Sequence, residues 1–397
     1  MNRKEFIHKS GLIASGALVL PHFGIAKSIN LNSKITVGVI GTGIRGQELT
    51  KLINKIDQME VIACCDTLDF RLKEGIQAVE GTTPKGYTDY RRLLENKDVN
   101  AVLITSPLNT HAQIAVDALE AGKHVYCEKT MAKGIKGIQQ LVKAAKNSKN
   151  TFQVGHQYHA SRMYVTLKQM IDEGKIGKLV SLESQWNRNG NWRRPVPSPN
   201  FERQINWRMY REYSYGLVAE LSSHHIDFAN WANDDHPQKV VGMGGIDYWK
   251  DGRETYDNIH ITYGYKNGFK ASYTCLTANA HEGYRIIIKG DQGSLIAYMT
   301  EAFFYPEGTK EDKITGTLDG YSGATIGWTK NKGIPLNLDH TEPTLQSLID
   351  FRDHIWDQKT PLSNIHSGAQ TAYAVDMAIR AMDTEKAVYW DDDQMIY

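Results

Sequence analysis

Lys34–Gly46 reads KITVGVIGTGIRG. Ile35, Val37, Val39 and Ile40 form a short apolar run of strand-favouring residues. Gly41, Gly43 and Gly46 then supply G-x-G-x-x-G, with Thr42, Ile44 and Arg45 between them, and Gln47–Ile53 continues with helix-compatible residues. The first glycine permits a tight turn, the second lets a pyrophosphate approach the backbone, and the third lets helix and strand pack closely. Free N–H groups at the helix start then face the phosphates. A second apolar run, Val61–Cys65, ends in Asp66, twenty residues after Gly46. An acid there is placed to bond a ribose 2′-hydroxyl, which favours NAD; Arg71 nearby keeps NADP open.

Outward from this stretch, strand-like and helical runs alternate as far as about Gly155. That pattern predicts a doubly wound parallel sheet over residues 34–155. After Gly155 a helix near Met163–Glu173 is followed by β-rich runs from Lys178 to Tyr298, split by turn signals such as Lys266-Asn267-Gly268. They predict an α/β domain over residues 156–397 with a large, mostly antiparallel sheet, one face open and the other a wall for a substrate. Helical patterns return at Glu342–Trp356 and Ser367–Met382, where they can pack back on the first domain.

The 397-residue chain is 41% hydrophobic and 23% charged, with net charge +1 and both signs scattered. No basic field points to nucleic acid. Cys64, Cys65, Cys127 and Cys275 form no C-x-x-C pair and read as buried thiols. Before Lys34, Arg3, Lys4 and Lys9 precede a short apolar segment, Gly11–Leu20, and small residues at Gly24-Ile25-Ala26. Residues 1–26 therefore read as an export signal of twin-arginine type, with Lys4 for the second arginine, too short for a membrane span. The expected location is periplasmic, with a cytoplasmic enzyme as the alternative.

Three further stretches carry chemistry. Ser106, Pro107, Asn109 and His111 lie in a loop at the carboxyl end of a parallel strand, where ligands bind. Glu128 and Lys129 follow another such strand, and a lysine beside a nicotinamide can stabilise developing negative charge. In Gly216–Ala232, Glu220, His224 and Asp227 fall on the same helical face as Leu217, Leu221, Phe228 and Trp231. Glu220 is spaced to bond His224 and make it a general base, with Asp227 in support. Gln157, Tyr158, Trp192, Arg193, Trp207 and His225 are the substrate-side candidates, because indoles suit sugar faces and amides or arginines suit hydroxyls or a carboxylate. His156 and His159 lack an acid partner at a recognisable spacing, so no metal is expected.

The glycine turn, the Glu128-Lys129 pair and the acid-x-x-x-His-x-x-Asp helix together resemble the glucose–fructose oxidoreductase, inositol dehydrogenase and MocA-like family. Ile176-Gly177-Lys178-Leu179 resembles that family's entry into its second domain. The resemblance implies a Rossmann domain followed by an open-sheet domain, tightly held NAD(P), a carbohydrate or polyol substrate and a homo-oligomer. It implies Lys129 and His224 as catalytic residues, with Glu220 where the family usually has aspartate. Thr130 stands where the family usually has proline, which predicts a looser loop after Lys129. Besides net hydroxyl oxidation it admits redox-neutral glycoside cleavage, as in NAD-dependent alpha-N-acetylgalactosaminidases, or a non-enzymatic sugar or NAD sensor.

Overall fold

The computed structural model describes residues 33–307, 333–338 and 341–394. The export segment expected at residues 1–26 lies outside the described residues. Six strands form the first sheet: β1 (Ile35–Ile40), β2 (Met59–Cys65), β3 (Lys85–Tyr87), β4 (Ala101–Ile104), β5 (His124–Cys127) and β6 (Phe152–Val154). They run in the order β3-β2-β1-β4-β5-β6, all parallel. Helices α1 (Ile44–Ile53), α2 (Asp69–Gln77), α3 (Tyr90–Leu94), α4 (Leu108–Glu120) and α5 (Ile135–Asn147) make the crossovers. The order reverses between β1 and β4, which opens a crevice at their carboxyl ends.

Both faces of this sheet are buried, so its strands are apolar throughout and still sort by period two. Val37, Val39, Ala101, Leu103 and Tyr126 face one cluster. Ile40, Val102, Ile104, Val125 and Cys127 face the other. The four cysteines are buried and unpaired, as expected.

After α6 (Arg162–Asp172) the second sheet begins with β7 (Leu179–Asn189). Short α7 (Glu202–Ile205) and then α8 (Ser223–Asn233) precede β8 (Pro237–Gly245), β9 (Asn258–Tyr265), β10 (Lys270–Leu276), β11 (Ala278–Gly290), β12 (Gly293–Ala297), β13 (Ala302–Pro306) and β14 (Ile334–Pro335). With β15 (Val388–Tyr389) the order is β14-β13-β12-β11-β7-β10-β9-β8-β15, antiparallel except between β7 and β10. Ile259, Ile261, Tyr263, Ala271, Tyr273 and Cys275 alternate inward with polar neighbours. That inner face is covered by α8 and by the last helix, α10 (Ile365–Thr384); the Tyr263 hydroxyl donates to the Ala374 carbonyl at 2.7 Å. The sheet is therefore not itself the substrate wall expected from the sequence. Of its strand residues only Trp186 reaches the central cavity.

The helix before it, α9 (Pro343–Asp357), returns to the first sheet. Leu348, Phe351 and Ile355 pack with Leu49 and Ile53 of α1 and with Tyr126 of β5. The Tyr126 and Phe351 rings meet edge-on at 5.7 Å. Glu342 caps α9 by accepting the Thr344 amide at 2.9 Å, and Asn364 and Ser367 close a capping box on α10. From Lys34 onward the described residues form one compact unit. None of its helices is long and apolar enough to cross a membrane.

Candidate active site

A cavity of about 1120 Å³ opens at the crevice between β1 and β4 and extends to α8. On the first-sheet side, Gly41 has φ +92°, and a Cβ there would sit 2.6 Å from the Ser106 amide nitrogen. A Cβ at Gly46 would sit 2.1 Å from the Gly41 carbonyl oxygen. Around Gly43, by contrast, a Cβ would meet nothing within 4 Å. The turn is closed behind and open in front, directly before the N-terminus of α1. Arg45, next along, donates Nε to Glu128 Oε1 at 2.7 Å, and its buried Nη2 has no partner.

Asp66 directly follows β2 and lines the same cavity. Its carboxylate accepts the Thr42 amide at 2.8 Å and the Leu68 amide at 2.9 Å. Burial pushes this carboxyl up, and those amides oppose the shift. Arg71 is occupied by Glu74 at 2.8 Å. Ile44, Ser106, Pro107, Asn109, His111, Glu128 and Lys129 also border the cavity. Thr42 and Gly46 do not; the Thr42 hydroxyl donates to the Arg71 carbonyl at 2.8 Å, and Gly46 serves packing. An open glycine cradle, an orphaned guanidinium nitrogen and an acid with spare lone pairs together fit a dinucleotide.

His111 is buried, and its two ring nitrogens lie 2.9 Å from the carbonyls of Ser106 and Thr130. It ties the loop after β4 to the loop after β5. Thr130 is buried as well, and its hydroxyl donates to the Ala219 carbonyl at 3.3 Å. The loop after Lys129 is therefore pinned from two sides, contrary to the loosening expected without proline.

Lys129 Nζ donates to the Glu220 backbone carbonyl at 2.8 Å and lies 3.8 Å from Glu220 Oε2. Glu220 also accepts Arg208 Nε at 2.9 Å and the Ser214 hydroxyl at 3.1 Å. It makes no bond to His224, which corrects the pairing expected from helical spacing. Val218–Ser222 is a π-helical turn ahead of α8, so the i, i+4 register breaks there, and two cations hold the carboxylate instead. Burial pushes the Glu220 carboxyl up, but Lys129 and Arg208 outweigh it and leave it below its ordinary value. Burial lowers the Lys129 ammonium, with Glu220 and Glu128 holding it back.

His224 borders the cavity, and its Nδ1 has no partner. Burial, reinforced by Lys129, holds the imidazole well below its ordinary value. Asp227 stands behind it rather than in the cavity. It lies 2.8 Å from His159 Nε2 and 3.4 Å from His156 Nδ1, and accepts the Thr371 hydroxyl at 3.2 Å. The acid partner that His156 and His159 lack in sequence thus arrives from α8, seventy residues away by number. Even so, no cluster of ligands with metal-holding geometry occurs among the described residues. Burial pushes His156 down to about 4 against the pull of Asp227.

Of the substrate-side candidates, Gln157, Tyr158, Trp192 and Trp207 border the cavity. Arg193 and His225 do not. Arg193 turns away to Glu202 and Asp251, and His225 is buried against Trp186 and Tyr284, ring centres 5.5 and 5.1 Å apart. Trp186, Arg194 and Arg208, which also line it, belong to the two aromatic–arginine stretches 185–195 and 206–210 that the sequence marks for substrate contact. Sequence reasoning missed Tyr213 and Glu342–Thr344, and nothing local marks Glu342.

A parallel sheet with a dinucleotide cradle, joined through a lysine and a histidine to a second, open-sheet region, defines a nucleotide-dependent α/β protein. Residues 35–156 match the oxidoreductase family with NAD-binding Rossmann fold, and residues 164–296 match the GFO/IDH/MocA C-terminal domain. The chain belongs to the GFO/IDH/MocA family. It is 37% identical over 208 residues to inositol 2-dehydrogenase of Salmonella typhimurium, covering 51% of this chain and 56% of that protein. The chain thus spans about half the length of such curated relatives. It is 25% identical over 269 residues to 2,7-anhydro-N-acetylneuraminate hydratase of Escherichia coli, 67% of this chain and 68% of that one. A structure of levoglucosan dehydrogenase with NADH and levoglucosan shares the fold, with TM-score 0.72 and 21% identity, covering 90% of this chain and 99% of that one.

Proposed function

We propose that this protein is an NAD-dependent oxidoreductase that acts on a ring or chain hydroxyl of a carbohydrate or polyol. The observation that carries the reading is a single cavity bordered by the glycine cradle and Asp66 at one end and by Lys129 and His224 at the other. Gly41, Gly43 and the start of α1 would hold the pyrophosphate, and Asp66 the ribose hydroxyls. NAD, when bound, supplies a hydride acceptor. Asp66 favours NAD over NADP, because its carboxylate suits ribose hydroxyls and repels a 2′-phosphate, and Glu74 draws Arg71 Nη1 to itself at 2.8 Å.

The residues divide the work. His224, held uncharged at neutral pH, accepts the proton of the substrate hydroxyl on its imidazole. Lys129 Nζ gives one hydrogen to the Glu220 carbonyl at 2.8 Å and a longer bond to the Ala219 carbonyl at 3.5 Å, and its remaining hydrogen donates to the same substrate oxygen as negative charge grows on it. Glu220 and Arg208 fix Lys129 in place.

A second reading draws support from the likeness to the E. coli hydratase. In it, the same groups perform a redox-neutral elimination and hydration, or glycoside cleavage, with the cofactor restored each cycle. One assay separates the two: purified protein with NAD and a panel of sugars, polyols and glycosides, followed by nicotinamide absorbance and product analysis together. Stoichiometric NADH with each oxidised product supports net oxidation. Repeated bond cleavage or hydration without lasting NADH overturns it in favour of the second reading.

A further inference from the structure

We infer that the substrate side of the cavity is a carboxylate site, so that the preferred substrates are sugar acids rather than neutral sugars. The inference rests on the reading of this cavity as a sugar site and deepens it. Lys129, Arg194 and Arg208 border its substrate end, and the one carboxylate among them is Glu220. Glu220 is already met by both Lys129 and Arg208. The other lining acids are engaged toward the cofactor end: Glu48 and Glu128 with Arg45, Asp66 and Asp89 with backbone amides, Glu342 at the start of α9. The substrate end therefore keeps an excess of positive charge.

The geometry of these cations suits a planar anion. Arg208 spends only Nε on Glu220, and neither of its Nη groups bonds a protein atom among the described residues. Its guanidinium lies over the Trp207 ring at 4.1 Å, which fixes the plane of the fork while leaving its donors free. A fork with two free, parallel donors is matched by a carboxylate. Arg194 has no side-chain partner among the described residues, yet its backbone is clamped. Its amide donates to buried Asn206 Oδ1 at 2.7 Å, and Asn206 Nδ2 donates back to its carbonyl at 3.0 Å. Two residues earlier, Trp192 is held at φ +65°, a conformation that a bulky residue adopts only when its surroundings impose it. A rigid backbone that presents an unpaired cation to a cavity is prepared for an anion, and Trp192 beside it offers a flat apolar face for the ring.

The test uses the full-length protein with NAD and matched probes: D-glucuronate, D-galacturonate and D-gluconate against D-glucose and D-galactose, with D-glucose 6-phosphate as a second anion. Both kcat/KM and calorimetric Kd are read. The expected result is an acid-over-neutral preference of at least about tenfold in Kd, and an acid Kd raised about tenfold, with neutral-sugar Kd unmoved, by Arg208→Lys, which keeps a cation beside Glu220 but loses the fork. Arg194→Gln, on an exposed side chain, gives the same direction should Arg208→Lys misfold. Acids that bind tightly without turnover would leave the carboxylate site standing and overturn the oxidoreductase reading. Turnover of neutral sugars with equal or weaker binding of acids would do the reverse. Stronger binding of the phosphate than of any carboxylate, or no binding of any acid, also overturns this inference.

Discussion

The two ends of the cavity are built in opposite ways. At the cofactor end the working parts are nearly contiguous: strand β1, the glycine turn and the start of α1 occupy Ile35–Ile53, and Asp66 closes the next strand. At the substrate end they come from across the chain. Lys129 follows β5, Gln157 and Tyr158 follow β6, Trp192–Arg208 is a crossover segment, and Glu220 and His224 come from a π turn and α8. Local sequence can specify the first arrangement because each glycine answers a constraint within a few residues. The second depends on which distant groups meet, and elements on both sides of the contact decide that.

Substitutions that remove chemistry at the assembled end have the largest expected effect. Lys129→Ala and His224→Ala should each lower kcat by about 10²- to 10⁴-fold with the fold intact by circular dichroism. Retained turnover in either would break the division of labour. Next comes Phe351→Ala in α9, which should cost about 3–5 kcal/mol of stability in denaturant melts through the cavity left against Tyr126 and α1. A loss that small substitutions on the exposed surface match would mean that α9 does not hold the cofactor half together.

The electrostatics of the substrate end sharpen the contrast through pH. His224 is base-competent only when uncharged, and its depressed pKa keeps it so to lower pH than a free imidazole, so the acid limb of kcat/KM should fall below pH 6.5. Glu220→Gln removes a charge that stabilises the Lys129 ammonium against burial. Lys129 should then lose its proton at lower pH, and the alkaline limb should move toward neutrality. If Glu220 merely packed, the rate would drop without that movement. The smallest effect distinguishes the glycines. Gly43→Ala should leave stability within about 0.5 kcal/mol, since its Cβ meets open space, while raising the Kd for NAD. Gly46→Ala should destabilise the fold itself, because its Cβ meets the Gly41 carbonyl.

The sequence carried both sheets and most of the cofactor end, because period-two burial, helix starts and glycine spacing are local signals. Its failures were of two kinds. An ideal helical wheel pairs Glu220 with His224, and a single π turn undoes that geometry. Arg193 and Arg194 look alike in sequence, yet Arg193 turns to Glu202 and Arg194 borders the cavity. Asn206, twelve residues on, clamps the Arg194 backbone from both sides, and no pattern within the Arg193–Arg194 pair encodes that contact.

The return of α9 to the first sheet also sets an order of events at the ribosome. Leu49, Ile53 and Tyr126 are synthesised more than two hundred residues before Phe351, which covers them. Until the last stretch of chain emerges, the nucleotide-binding half keeps an apolar face bare. A chain cut short before α9 should therefore aggregate rather than accumulate as a free cofactor-binding module.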